Sequence, residues 1–156
     1  MKCTCCFTGH RKLPADKIES IVKNLDREIE NLIANGVTDF ISGGALGFDQ
    51  IAASLIIAKK EMGRNIRLRF ALPCKNQDEL WNEKQKKLYQ ELLLEADKIT
   101  YVSEAYDDFC MKKRNSYMVQ NSGYCICALL HEGSGTGQTV RLARKKGLKI
   151  INIAKK

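Results

Sequence analysis

The sequence predicts an α/β fold of three layers, with a mostly parallel sheet held between two layers of helices. Three observations carry this. Short apolar runs alternate with helical stretches along all 156 residues, glycine-rich turns follow several of the runs, and no linker, repeat or low-complexity segment interrupts the pattern. Strands separated by helices call for crossover connections, which are right-handed by default and cover both faces of a parallel sheet. The length suits one core without metal or disulfide staples, so a single domain over residues 1–156 is expected.

The elements follow in order. Residues 3–8 read as a buried first strand, and a turn over 9–14 leads into a helix from about residue 15. Its apolar positions Ile18, Ile21, Val22, Leu25, Ile29, Leu32 and Ile33 recur with the period of one helical face. Gly36 stands where a left-handed C-terminal cap is needed. Phe40 and Ile41 belong to a second strand ending at Ser42-Gly43-Gly44, and the helix over 48–62 stops at Gly63. A third strand, 66–72, is broken by Pro73. The stretch 78–96 reads as one helix with Leu80, Leu88, Leu92 and Leu93 on its inner side. A fourth strand spans 99–102, and a polar loop containing Asp107 and Asp108 precedes a helix over 109–120. Residues 124–130 are apolar without alternation, which predicts a strand buried on both faces. A helix over 136–146, capped by Gly147, and a last strand over 148–153 complete a Rossmann-like αβα domain.

Composition narrows the function. Hydrophobic content of 44% and charge of 28% are ordinary for a globular chain. No apolar run approaches the roughly 20 residues needed to span a bilayer, and the N-terminal run is too short for a secretory leader. A cytoplasmic protein without membrane partners is expected. The seven cysteines are odd in number and include a single Cys-x-x-Cys pair, Cys3-Thr4-Cys5-Cys6, which lies inside the first apolar run with no second pair to complete a site; this argues against a disulfide framework or a zinc site. Cys3 and Cys5 share one strand face, as do Cys125 and Cys127, and all four read as small buried hydrophobes. Cys74 and Cys110 fall near strand ends or loops. The net charge of +8 has two readings. One is lysine-rich solvated helix faces, as at Lys84, Lys86, Lys87, Lys145, Lys146 and Lys149; the other is an anionic partner, nucleotide or nucleic acid.

Ligands of open parallel sheets bind beyond the carboxyl ends of the strands, where the chain order reverses. The residues after the first strand are Thr8-Gly9-His10-Arg11. After the second come Ser42-Gly43-Gly44-Ala45-Leu46-Gly47 with Asp49, and after the fifth His131-Glu132-Gly133-Ser134-Gly135-Thr136-Gly137-Gln138. Glycines there let backbone approach a ligand, and the following helix N-terminus offers free N–H groups to an anion. Two such turns beside Arg11 and Arg114 predict a phosphate site. Neither Gly-x-Gly-x-x-Gly nor Gly-x-x-x-x-Gly-Lys-Ser/Thr occurs, so an ordinary dinucleotide dehydrogenase or a P-loop ATPase is not indicated.

Individual residues keep two readings. Arg11 can hold a phosphate bidentately or form a surface ion pair, and Asp49 can accept a ribose hydroxyl or cap a helix. Arg114 can reach the site or be solvated with Lys112 and Lys113. His10 and His131, the only histidines, flank glycine turns and lack a third ligand for a metal. Trp81, Tyr101, Tyr106 and Tyr117 read as packing residues, with base stacking the alternative.

At Phe7-Thr8-Gly9-His10-Arg11, Phe40-Ile41-Ser42-Gly43-Gly44-Ala45-Leu46-Gly47-Phe48-Asp49, Arg114-Asn115-Ser116-Tyr117-Met118 and Gly133-Ser134-Gly135-Thr136, the chain resembles the SLOG superfamily. That group joins the DNA-processing protein DprA/Smf with the Lonely-guy enzymes, and the YpsA-like bacterial proteins are the closest in pattern. The resemblance implies a Rossmann-like domain, often a homo-oligomer, that binds a nucleotide or a nucleotide-derived ligand such as an ADP-ribose derivative. The binding set it implies is Gly9, His10, Arg11, Ser42, Gly43, Gly44, Gly47, Asp49, Arg114, Asn115, Gly133, Ser134, Gly135, Thr136 and Gly137. The Lonely-guy branch hydrolyses nucleotide N-glycosidic bonds with an arginine and a glutamate. Arg114 falls where that arginine would be, whereas Thr139 occupies the glutamate position, and threonine cannot supply the carboxylate chemistry. Glu132 or Asp49 would have to substitute. The DprA branch implies single-stranded DNA, with Arg114-Asn115 matching its Arg-Asn pair. A sensing or regulatory nucleotide binder is the reading preferred, with a hydrolase and a single-strand binder as alternatives.

Overall fold

The computed structural model describes residues 3–155; Met1, Lys2 and Lys156 lie outside the described residues. Six strands, β1 (Thr4–Gly9), β2 (Asp39–Ser42), β3 (Arg67–Leu72), β4 (Lys98–Tyr101), β5 (Tyr124–Ala128) and β6 (Lys149–Asn152), form one sheet. They are joined in turn by α1 (Ile18–Ala34), α2 (Phe48–Glu61), α3 (Glu83–Leu94), α4 (Cys110–Gln120) and α5 (Gly135–Lys145). Every strand pairing is parallel. The expected α/β architecture is the one observed.

Alternation along the strands sorts the core into two layers. Phe7, Phe40, Leu68, Phe70 and Ile126 meet Leu25 and Ile29 of α1, Phe48 and Ile56 of α2, and Leu92 of α3. Phe7 stacks on Phe40 with centroids 5.9 Å apart and meets Phe48 edge-on at 6.4 Å. The opposite layer is built from smaller groups: Cys6, Ile41, Ala71, Cys125 and Cys127 pack under Met118 and Val119 of α4 and Val140 and Ala143 of α5. β5 is therefore covered on both sides, as its unbroken apolar run predicts.

The strand order β4-β3-β2-β1-β5-β6 positions the site. The chain steps outward from β1 through β2 and β3 to β4, then returns to place β5 on the other side of β1. The reversal leaves a crevice beyond the β1–β5 pair, whose register ends at Gly9↔Ala128.

Two expectations are corrected. The helix over 78–96 begins only at Glu83, because Asn82 Oδ1 accepts the Gln85 N–H at 2.8 Å while Gln85 Oε1 accepts the Asn82 N–H at 3.1 Å. That reciprocal cap stops the helix from extending backward. Residues before it form turns, so Leu80 is 95% exposed rather than inward, and Leu88 is 45% exposed. Tyr89 takes the inner position instead, with its ring 4.9 Å from that of Trp81. Cys3 also lies outside the core, since it precedes the first residue of β1 and is exposed, whereas Cys5, Cys125 and Cys127 are buried. Cys74 and Cys110 are buried too, and burial raises the Cys74 thiol above its ordinary value.

Truncating Phe40 to alanine should cost about 3–5 kcal/mol in urea denaturation, the range for a buried phenylalanine. Leu80→Gln should change stability by less than about 0.5 kcal/mol, as for an exposed position. A comparable loss at Leu80 would mean that this turn packs inward after all.

Candidate functional site

A cleft of about 320 Å³ opens at the chain reversal. The end of β1 contributes Thr8 and Gly9, the turn after it His10 and Arg11, and α4 contributes Met111, Arg114, Asn115 and Met118. The start of α5 adds Ser134, Gly135, Thr136 and Thr139, and the segment after β2 adds Ala45 and Asp49. Four stretches remote in sequence thus meet at one end of the sheet.

Arg114 organises the floor of the cleft. It is only 6% exposed. Its Nη1 donates to the Gly43 carbonyl at 2.7 Å, and its Nε donates to Asn115 Oδ1 at 2.7 Å. The remaining Nη2 faces Met111 Sδ at 3.5 Å, and Arg11 Nη2 approaches the same sulfur at 3.9 Å. Two guanidinium groups therefore converge on one thioether, a weak acceptor. Burial lowers the Arg114 pKa from its ordinary value, Asp49 opposes that shift, and Arg11 repels it further.

Asp49 supplies the nearby negative charge. Its Oδ2 accepts the Ala45 N–H at 3.3 Å, closing the turn before α2 instead of capping the helix in the usual way. Burial pushes its pKa up to about 6, against the lowering influence of Arg114, the Ala45 N–H and Arg11. Opposite charges would pull these two pKa values apart, so the observed directions mean that desolvation dominates at both groups.

The glycine turn after β2 serves the protein rather than lining the cleft. Ser42 Oγ donates to the Asp49 carbonyl at 2.8 Å and accepts the Gly44 N–H at 3.2 Å. Gly43 lies so close to Arg114 that a Cβ there would overlap the guanidinium and sit 2.7 Å from Asp49 Oδ2. Gly44 packs near Leu72 and Tyr89. Gly47, at φ 81°, lies against the backbone of His10 and Arg11, where a Cβ would overlap the Arg11 carbonyl. The next N–H, that of Phe48, donates to the His10 carbonyl at 3.2 Å. The start of α2 is thereby occupied by the β1 turn, and of this second predicted turn only Ala45 and Asp49 reach the cleft.

The turn after β5 is placed differently. Ser134 Oγ caps α5 by accepting the Gly137 N–H at 3.1 Å and donates to the His131 carbonyl at 2.6 Å. Gly135 and Thr136 begin the helix and line the cleft, where first-turn N–H groups have no intrahelical acceptor. Thr139 Oγ1 donates to the Gly135 carbonyl at 3.1 Å. Gly133 and Gly137 are not lining residues; Gly137 packs under the Glu132 carbonyl. The Glu132 carboxylate is exposed, 3.9 Å from Arg141, and does not face the cleft. His10 Nε2 accepts the Leu130 N–H at 2.9 Å, linking the β1 and β5 turns, with the His131 ring 5.2 Å away. Burial and His131 lower the His10 pKa. Thr8 and Met118, which belong to the quoted motifs but not to the expected binding set, also line the cleft, and so does Met111, which did not stand out in the sequence. The only signal for Met111 is its helical spacing from Arg114.

Asp49 gives a pH test. A carboxyl raised from 3.8 to about 6 on folding stabilises the native state fully below the unfolded value and loses that contribution as pH rises through 6. The full span is about 3 kcal/mol. Between pH 7.5 and pH 4, urea denaturation should show wild type gaining about that much relative to Asp49→Asn. A difference that stays flat with pH would contradict the raised value.

Comparison with known proteins agrees with this architecture. The YpsA model, described as the YspA SLOG family, matches residues 6–148. The uncharacterized SPbeta prophage-derived protein YoqJ of Bacillus subtilis is 33% identical over 118 residues, covering 68% of this chain and 69% of that protein. The UPF0398 protein BH1768 of Halalkalibacterium halodurans is 31% identical over 107 residues, covering 67% of this chain and 57% of that one. Among solved structures, DNA processing protein A of Streptococcus pneumoniae superposes with a TM-score of 0.70 at 18% identity, over 96% of this chain and 49% of its own. The Helicobacter pylori protein of the same name, described for its single-stranded DNA binding mode, gives 0.66 at 22%, over 94% and 63%. The chain thus spans about half to two thirds of those structures, and their likeness concerns the fold. With the family model matching most of its length, the chain belongs to the YpsA-type SLOG family.

Proposed function

We propose that the cleft binds the phosphate of a nucleotide unit, in a sensing or regulatory role. The observation that carries this reading is the convergence of Arg11 and Arg114 on the sulfur of Met111 beside the first turn of α5. Arg11 and Arg114 repel each other, Asp49 attracts both, and an anion seated between the two guanidinium groups relieves their repulsion. Arginine forks match phosphate oxygens, and the α5 N-terminus adds N–H donors and a favourable dipole. Asn115, Thr136 and Thr139 provide neutral polar groups for the sugar or base. An ADP-ribose derivative fits the same chemistry.

Binding without hydrolysis is favoured by the side chains present. Thr139 stands where the hydrolytic branch carries glutamate, and Glu132 is turned toward Arg141. Asp49 is the carboxylate available to a hydrolase, and it is engaged by the Ala45 N–H.

The phosphate can belong to a free nucleotide or to a nucleic-acid strand. The net charge of +8 and the single-stranded DNA binding described for the structurally similar Helicobacter pylori protein support the second source. Calorimetric titration with nucleoside monophosphates, ADP-ribose and short oligonucleotides tests the reading. Saturable binding should appear with at least one of them and weaken about tenfold or more in Arg11→Ala, the loss of a charge-assisted bond of about 1.5–3 kcal/mol. Wild-type affinity in Arg11→Ala for every ligand that binds would remove the phosphate from this cleft. Chromatography of the same mixtures should show no released base; base release abolished in Asp49→Asn would establish the hydrolase instead.

A further inference from the structure

A second recess, of about 610 Å³, lies between the edge strand β4 and the outer face of α4, outside the cleft. Tyr101, Phe109 and Tyr117 line it together with Lys112 and Lys113. Phe109 is 63% exposed and Tyr101 42% exposed. Tyr101 is thus more exposed than the packing role expected from the sequence, and it lines the recess together with Phe109. Apolar surface left in water forgoes about 25 cal/mol per Å², and a contiguous exposed patch rimmed by polar groups marks an interaction site.

The recess has an electrostatic sign. Its lining holds two ammonium groups and no carboxylate. Asp107 and Asp108, which precede Phe109, stand outside it, and Asp107 Oδ1 is occupied by the Phe109 N–H at 2.8 Å. Hydrogen bonding to Thr100, with help from Arg69 and Lys98, holds the Tyr117 phenol below its ordinary value. The surface is also continuous with the cleft. Lys112, Asn115 and Ser116 lie one helical turn apart on α4 and form a strip facing α5. Asn115 belongs to the cleft as well, and Lys112 and Ser116 to the recess.

Exposed ring faces flanked by cations suit a polyanion with unpaired planar bases. A duplex hides its base faces, and a mononucleotide cannot occupy both ends of the path. We propose that the β4–α4 recess is a base-stacking platform for single-stranded nucleic acid, whose backbone crosses the outer face of α4 and places one phosphate in the cleft. Phe109 and Tyr101 stack bases, and Lys112 and Lys113 hold the backbone. This rests on the proposed phosphate site and names a strand as the source of that phosphate.

Fluorescence anisotropy with labelled oligothymidylates of increasing length, and with a duplex of the longest one, tests it on the full chain. Affinity should rise from trinucleotide to dodecanucleotide, and the duplex should bind more weakly than the single strand. Phe109→Ala and Tyr101→Ala should each weaken the dodecanucleotide about tenfold while leaving the trinucleotide unchanged, and Tyr101→Phe should restore wild-type binding. Replacing both Lys112 and Lys113 by alanine should lower the salt slope by about 1.4, two single-strand phosphates. Equal affinity for both lengths, equal binding of duplex, or wild-type dodecanucleotide affinity in the Phe109 and Tyr101 variants would each overturn the platform. The cleft reading fails separately, by unchanged trinucleotide binding in Arg11→Ala.

Discussion

The buried guanidinium of Arg114 joins parts of the molecule that the sheet would otherwise keep apart. α4 lies on the thin, cysteine-rich side of the sheet, whereas Gly43 leads into α2 on the aromatic side. The bond from Arg114 to the Gly43 carbonyl crosses the carboxyl ends of the strands and connects the two layers at the site itself. A charge in this position cannot be withdrawn cheaply, because breaking a buried charged contact leaves an uncompensated group. The geometry around it is correspondingly tight. Gly43 must lack a side chain, Asn115 must present an acceptor, and Asp49 must lie close enough to offset the charge while remaining partly protonated near pH 6.

That arrangement sets the charge balance of the cleft, where one carboxylate lies beside two guanidinium groups. Desolvation raises the Asp49 pKa, so its negative charge is the less costly one to give up, while arginine keeps its charge under any ordinary condition. Arg11, on the exposed β1 turn, adds a second cation, whose side-chain hydrogen bond among the described residues goes to the Met111 sulfur. The turn carrying it is held by backbone: the His10 carbonyl accepts the Phe48 N–H, and His10 Nε2 accepts the Leu130 N–H. The site is preorganised from three turns, each fixed by hydrogen bonds to another, and α4 extends it outward toward the β4 edge.

Much of the fold was legible in the sequence. The period of α1, the unbroken apolar run of β5 and the glycines after the helices placed the elements within a few residues. The same patterns misled where a local cap competed with apolar spacing. Leu80 fits the extended stripe, but Asn82 and Gln85 close the helix after it, so the leucine is left on a turn in water. Cys3 was grouped with Cys5 by alternation, although the strand starts one residue later. Tyr101 is exposed because β4 is the sheet edge, a property of strand order that no local window contains.

The sequence by itself determined the alternation of strands and helices, the parallel sheet, and the identity of most residues at the cleft, including Arg11, Arg114 and the Ser134–Thr136 turn. The elements and turns are matters of local periodicity, capping or turn chemistry, which neighbouring residues decide, whereas Arg114 stood out through the resemblance of Arg114-Asn115 to a family pair. Only the tertiary structure decided how the two glycine turns differ. One offers helix N–H groups to the cleft, while the other is filled by the His10 carbonyl and the Arg114 guanidinium. Both read as phosphate turns in the chain, because glycine spacing reports only that something must come close. Whether that is a ligand or the protein's own backbone depends on which segments, remote in sequence, the strand order brings to the same end of the sheet.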